Sequence, residues 1–409
     1  MFLRFLVEVV MTDLLNSFNS SFHSMNILQV APYFPPYQGG QERHVERLTS
    51  HLRDDGHTVK ILTSDYPPEI TKSENHSDMV RLPVRQRFLR NPIVSPDREK
   101  IVELLTWADI AHTHNEHAFI SNIVALMNYR VDTPMVLTCH GRLAFGSSAA
   151  NLLEQVYNRT VGAATLRAMD RVIALSKSDK EYLNSLGVPT GRIDVVPNAI
   201  EPPESPTDAV VTEFQKRADI HDRDVILFVG PIVKRKSPET LLRAMPHILE
   251  THPDTVAMFV GKGDHLDALK NQAASLGLEE TVRFTGYLPR EKLHAAYRAG
   301  SVLAVSSVSE GLPTTIMEGM IHQLPVVATN LGPIRDWFDQ HALLVESEPE
   351  AFAGAIRLLL SHEQMAAQLG AESAELVRSR LTWDRVASEV NRVYERIVPK
   401  RTYRAVSES

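Results

Sequence analysis

Short apolar runs alternating with amphipathic segments fill this sequence, and that alternation sharply limits the folds open to it. Residues 26–31 read as a buried strand, followed by a loop and then Val45, Leu48, Thr49 and Leu52 at helical spacing, with Gly56 ending the helix. Further strands are predicted at residues 58–63, 79–82, 110–112, 134–138, 171–174 and 193–196. Strands separated in this way by helices pair in parallel, with helices covering both faces of the sheet.

Pro197, Pro202, Pro203 and Pro206 interrupt the pattern, which then restarts. Residues 225–229 and 256–260 are almost wholly apolar strands, followed by 282–285, 301–305 and 324–328, with helices near 239–250, 266–276 and 290–299. The sequence therefore predicts two doubly wound α/β domains, over residues 25–205 and 206–380, with a ligand cleft at the carboxyl ends of their strands. A length of 409 residues suits two domains of roughly 200 residues each. Trp383 to Tyr394 carries apolar positions at helical spacing, so residues 381–409 are read as a helix packing back across both domains, then a tail.

A net charge of −7 is mild for this length and speaks against a nucleic-acid partner. Cys139 is the sole cysteine, which excludes an intrachain disulfide and favours a reducing, cytoplasmic setting. It lies in an apolar run and reads as a buried structural thiol. Residues 1–10 are apolar but short, and they carry Glu8. Residues 1–24 are thus read as a disordered extension or upstream start, with a peripheral membrane anchor as the alternative.

The richest segment runs from Ser309 to Gly319. Pro313 holds Leu312 out of helical geometry, so a helix is expected to begin near Thr314. Loop amides and that helix N-terminus suit a diphosphate, while Glu310 and Glu318 offer paired acceptors to vicinal hydroxyls. Taken alone, the segment equally fits a capped helix with two solvated glutamates. Lys234, Arg235 and Lys236 follow a strand and read either as a diphosphate site or as a solvated basic turn. Gly39 and Gly40, between the first strand and first helix, allow a close backbone approach to a ligand.

His112, His114, His117 and His140 have zinc-like spacing, but no carboxylate completes the set, and they read as hydrogen-bonding residues near the cleft. Asp222-Arg223-Asp224 precedes its strand and reads as a polar turn, so no metal site is assigned. Gly261-Lys262-Gly263 lacks the third glycine of a dinucleotide fingerprint. Arg81, Arg85, Arg87 and Arg90, mixed with Val84, Phe88 and Leu89, suit either a solvated loop or an anionic lipid surface.

Together these segments resemble glycosyltransferase family 4, the retaining group 1 glycosyl transferases of GT-B fold, over roughly residues 25–398. The resemblance rests on Pro35-Pro36 through Gly39-Gly40, Asp109 to His114, Thr138 to Gly141, Asp170 to Ser176, Val196 to Ile200, and the Glu310–Glu318 pair. It implies that Glu310 and His140 face the donor sugar and Glu318 the ribose, while Lys236 holds the diphosphate of a nucleoside diphosphate sugar. It further implies donor contacts from Gly311, Leu312, Pro313 and Thr314, nucleobase contacts from Gly286, Tyr287 and Leu288, and phosphate or acceptor contacts from Gly39 and Gly40. The co-substrate is then the nucleotide sugar, with no further cofactor, and the acceptor a glycan or lipid-linked hydroxyl, with acceptor choice set by loops at 81–97 and 141–151. Pro231 stands where the family has an arginine, which Lys234 or Arg235 would have to replace, and Pro333 replaces a second glycine after Gly332. An epimerase of the same fold and a non-catalytic nucleotide-sugar-binding partner are the other functions this resemblance admits.

Overall fold

The structure, a computed structural model, describes residues 23–37, 39–67, 78–88, 91–141, 156–204 and 206–398. The expectations for residues 1–22, for Leu89 and Arg90, for the loop at 142–151 and for the tail from 399 lie outside these. The first half holds β1 (Asn26–Val30), β2 (Thr58–Ser64), β3 (Met79–Leu82), β4 (Val84–Phe88), β5 (Asn91–Val94) and β6 (Ile110–His114). β7 (Met135–Cys139), β8 (Arg171–Ala174) and β9 (Ile193–Val195) complete it. The second half holds β10 (Val225–Val229), β11 (Val256–Val260), β12 (Val282–Gly286), β13 (Val302–Val305), β14 (Val326–Thr329) and β15 (Leu343–Val345).

Among the described residues these make two parallel sheets, ordered β3-β2-β1-β6-β7-β8-β9 and β12-β11-β10-β13-β14-β15, with β4 and β5 a separate antiparallel hairpin. Each half is Rossmann-like, with helices on both faces. In each sheet the winding reverses beside the first strand, between β1 and β6 and between β10 and β13. Crevices open outside the strand ends at such reversals, and this is what places the site. The hairpin falls where the sequence admits a solvated loop or a lipid-facing patch, because Val84-Arg85-Gln86-Arg87-Phe88 has only its two ends apolar and carries no clear strand signal. β15, three residues long, escaped because its run is too short to register.

The end of the chain belongs to the core of its beginning. Ile27, Val59, Ile110, Val136 and Ile173 form one face of the first sheet, and Leu48 and Leu52 cover part of it. The helix Trp383–Glu395 covers the rest with Trp383, Val386, Ala387, Val390, Val393 and Tyr394. Burial of such side chains contributes roughly 1.5–3 kcal/mol each. The two crossings between halves run side by side, Ile200 donating its N–H to the Leu381 carbonyl at 3.0 Å.

Direct contacts join the halves elsewhere. Trp337 Nε1 donates to the Leu175 carbonyl at 2.9 Å, and Ser178 N donates to Asp336 Oδ2 at 2.6 Å. A Cβ at Gly332 would lie 2.6 Å from Ser178 Oγ, so glycine is required there, whereas Pro333 sits in a first helical turn that has no use for its amide. Cys139 is buried, and burial with the Glu116 carboxylate nearby pushes its thiol well up.

Arg81, Arg85 and Arg87 of the basic patch are tied into the domain. Arg81 donates to the carbonyls of Pro35 and Ser64 at 2.8 and 3.2 Å. Arg87 donates to the hydroxyls of Tyr66 and Tyr33 at 2.8 and 3.2 Å, and Arg85 to Ser95 Oγ at 2.5 Å. Phe88 stays 55% exposed. No helix of the described residues is long and apolar enough to cross a membrane.

Candidate active site

The C-terminal wall of the cleft is built on β10 and β13. After β10 the chain makes a tight turn over Lys234–Lys236, and Ser237 then takes a left-handed conformation with φ +44°. That conformation is unfavourable for serine, and it is held by Ser306 Oγ, which donates to the Ser237 carbonyl at 2.7 Å. The turn aims Lys236 at Glu310, with Nζ 2.5 Å from Oε1. Arg235 Nη1 lies 3.1 Å from Glu310 Oε2 and donates to the Ser309 carbonyl at 2.8 Å. Burial alone would raise the Glu310 pKa, but the Lys236 and Arg235 charges outweigh it and hold the carboxyl below its usual range.

A guanidinium is therefore present in this cluster despite Pro231, supplied by Arg235. Lys234 is exposed and makes no ion pair among the described residues. The loop then leads into the helix Thr314–Ile321, capped by Pro313. Leu312 is buried, and its carbonyl accepts from Asn198 Nδ2 of the other half at 2.6 Å. Glu318, on that helix, accepts from the Tyr297 hydroxyl at 2.8 Å. Burial, and secondarily the Glu318 charge, raises that hydroxyl well above its ordinary value, so it stays a donor. Gly286 ends β12 with φ +69° and accepts from Gly261 N at 2.9 Å; Tyr287 beyond it is 60% exposed and Leu288 packs on the core.

The N-terminal wall carries histidines. His140 follows β7, and its N–H donates to Asn115 Oδ1 at 2.8 Å. Asn115 adopts φ +64°, a left-handed conformation that asparagine tolerates, and also donates to Gln41 Oε1 at 2.7 Å. His140 Nε2 lies 2.9 Å from His114 Nδ1, and the His44 ring meets His140 edge-on at 4.6 Å between centroids. The group that converges is thus His44, His114 and His140, each with one ring nitrogen within 4.8 Å of the others'. His117 lies instead beside Glu116, and His112 faces Tyr394 and Thr138. Burial lowers the pKa of His44 to about 4 and that of His112 to about 3. His114 and His140 are also well below normal, from burial first and neighbouring imidazoles second.

The walls meet at two glycines. A Cβ on Gly141, whose φ is +105°, would lie 2.9 Å from Gly311 Cα, and one on Gly311 would lie 2.7 Å from the His140 carbonyl oxygen. This contact brings His140 against the Glu310 loop, so Glu310, Lys236, Arg235 and His140 share one place. Gly39 and Gly40 cap and open the helix Gly40–Asp54, where the Glu42 carboxylate fills the space beside Gly39: a Cβ there would come within 2.1 Å of Oε2. Burial raises the pKa of that carboxyl.

His44, Glu42 and Tyr297 were not singled out from sequence. His44 lies four residues before Leu48 on the same helical face, and Glu42 stands three after the cap Gly39, the capping-box spacing. Tyr297 stands alone among the buried alanines Ala295, Ala296 and Ala299. Those patterns were available.

Two doubly wound domains facing each other across such a cleft define the GT-B class of glycosyltransferases. The description "Glycosyltransferase Family 4" matches residues 38–203, and "Glycosyl transferases group 1" matches residues 211–376. The chain belongs to this family of glycosyltransferases. It is 26% identical to an uncharacterised glycosyltransferase of Methanocaldococcus jannaschii, over 91% of this chain and 98% of that one. It is also 26% identical to the phosphatidyl-myo-inositol mannosyltransferase of Mycobacterium leprae, over 91% and 97%. Among solved structures, Anabaena HepE in complex with UDP superposes with a TM-score of 0.76 at 19% identity, over 91% of this chain and all of that one. HepE with UDP-glucose superposes with a TM-score of 0.73 at 17% identity, over the same shares.

Proposed function

We propose that this chain transfers a sugar from a nucleoside diphosphate sugar to a hydroxyl of a glycan or lipid-linked acceptor, with retention at the anomeric carbon and without a metal ion. The observation that carries this reading is the Lys236–Glu310 ion pair, shielded from solvent and joined by the half-exposed Arg235, set beside His140 by the Gly141–Gly311 contact. As the donor's glycosidic C–O bond breaks, its electron pair passes to the diphosphate. Lys236, Arg235 and the amides opening the helix at Thr314 oppose that charge, the work a metal would otherwise do. The acceptor oxygen bonds to the anomeric carbon on the face the diphosphate leaves, and its proton passes to the departing phosphate oxygen. Glu318, held by Tyr297, accepts from the ribose hydroxyls. The Gly286–Leu288 loop borders the base.

The titles of the HepE complexes, with UDP and UDP-glucose, support a nucleotide-sugar donor. Relatives named for phosphatidylinositol acceptors support a lipid-linked acceptor, and with it a cytoplasmic protein touching the inner face of a membrane. The test is a thermal-shift screen of UDP- and GDP-sugars, followed by acceptor-dependent release of nucleoside diphosphate. A donor at 100 times its dissociation constant adds about 2.7 kcal/mol. Binding without acceptor-dependent release would defeat the transferase reading.

A further inference from the structure

Behind His140 runs a line of polar groups that leads away from the cleft. His114 Nε2 lies 2.9 Å from Gln29 Oε1, and Gln29 Nε2 lies 3.3 Å from the Tyr394 hydroxyl. That hydroxyl is 2.6 Å from His112 Nδ1, and His112 Nε2 is 2.7 Å from Thr138 Oγ1. Gln29, His112, His114 and Tyr394 are each 0% exposed, so they must satisfy one another.

Their chemistry gives the line a direction. An amide oxygen carries no proton, so His114 Nε2 donates to Gln29. A neutral imidazole has a single N–H, which leaves His114 Nδ1 as an acceptor. His140 Nε2 must then be the donor across the 2.9 Å contact between the two rings. At the far end the Gln29 amide donates to the Tyr394 oxygen, whose own proton goes to His112 Nδ1. Flipping the Gln29 amide would set its NH2 against His114 and reverse every step toward the cleft.

We propose that Gln29, with its NH2 on Tyr394 of the C-terminal helix and its oxygen on His114, fixes His140 as its Nε2–H tautomer, so that the ring meets the donor through Nδ1 as a hydrogen-bond acceptor for a sugar hydroxyl. This rests on the reading of the cleft as a donor site. Gln29 and Tyr394 are positioning residues, acting only through His114. The helix Trp383–Glu395 then does more than clasp the N-terminal half: it sets the proton on a ring at the cleft end of the sheet face it covers.

The test is histidine-selective 15N labelling of the full chain, with His140→Asn used to assign the His140 ring. The expected wild-type signature is a protonated Nε2 and a bare Nδ1. Gln29→Met is similar in size but has no oxygen, and there the single-tautomer signature is lost. A protonated Nδ1 on His140 in the wild type, or an unchanged Nε2–H in Gln29→Met, would overturn the proposal. The resonances are read without any nucleotide sugar, so a failure of the wild type to bind UDP- and GDP-sugars would count against the donor site and leave the tautomer result standing.

Discussion

The two walls of the cleft hold their polar groups in opposite ways. On the C-terminal wall Lys236 and Arg235 stand charged against a charged Glu310, and each ion offsets the cost of burying the other. On the N-terminal wall His44, His112 and His114 are buried and His140 half-buried, all four uncharged, and hydrogen bonds link three of them into one network. The difference matches the proposed reaction. Negative charge grows on the diphosphate, beside the cations. Positive charge grows at the anomeric carbon, where an imidazolium would oppose it and a neutral ring does not.

The most severe way to break this comparison is to remove the cation. Lys236→Met leaves Glu310 with Arg235 alone, and we expect the ligand-free protein to lose about 3 kcal/mol in urea unfolding. Turnover of nucleotide sugar should fall by about 10²–10³. Adding Glu310→Gln should recover much of the stability and none of the turnover. If turnover survives in Lys236→Met, the charged wall is structural only.

Next in size is the contact where the walls touch. Gly141→Ala puts a Cβ into a left-handed backbone position and within 2.9 Å of Gly311 Cα. Strain of this kind costs about 1–3 kcal/mol, and an ångström of misplacement between the walls costs about 10² in rate. Gly40→Ala is the control: nothing lies within 4 Å of its Cβ, and the residue is helical, so stability should be unchanged or slightly higher. Equal activity in both variants would mean that the walls do not have to meet as closely as they do.

Acid should separate the walls. His44 and His112 titrate at about 4 and about 3 when folded, against about 6.5 when unfolded. Between those values the unfolded chain binds more protons, so stability is fully present above pH 6.5 and falls as the pH drops toward 4. Each such histidine adds a slope of up to about 1.4 kcal/mol per pH unit. Glu310, held below its usual range, contributes stability that is lost only as the carboxyl takes up its proton at lower pH. Chemical denaturation from pH 7.5 to 5 should therefore show a steep loss, reduced by His112→Phe and unaffected by Glu310→Gln. A flat profile would show that the histidines take up protons in the folded protein as readily as in the unfolded chain.

What the sequence made legible follows from range. The β10 and β11 strands could be read because Val225–Val229 and Val256–Val260 are apolar throughout, a local signal. The Glu310 loop could be read because Pro313 and Thr314 mark a helix start within a few residues. Partnerships between distant segments could not. Nothing near Lys236 in the chain says that Ser306 holds its turn, and nothing near His114 says that Gln29 and Tyr394 lie behind it. Gly39 and Gly40 looked alike in sequence, yet only Gly39 has a carboxylate against it. Pro231 looked like a lost guanidinium because side-chain reach from Arg235 is a property of the turn, not of the spacing.

The smallest expected effect lies outside both walls, on the β4–β5 hairpin. Arg81 and Arg87 are each bound to two oxygens, carbonyls or tyrosine hydroxyls, whereas Arg85 is bound to a single serine hydroxyl, so Arg85 and the exposed Phe88 are the groups best placed to meet a membrane. One cation near an anionic surface contributes about 1 kcal/mol, roughly a fivefold change in vesicle partitioning. Arg85→Ser and Phe88→Ser should each weaken co-sedimentation with phosphatidylserine vesicles, and only the arginine effect should fade with added salt. Neither should move unfolding by more than about 0.5 kcal/mol, because both side chains are exposed. If Arg87→Gln instead gives the larger partitioning loss, the Tyr33 and Tyr66 hydroxyls do not hold that guanidinium away from the lipid, and the hairpin acts as one basic face.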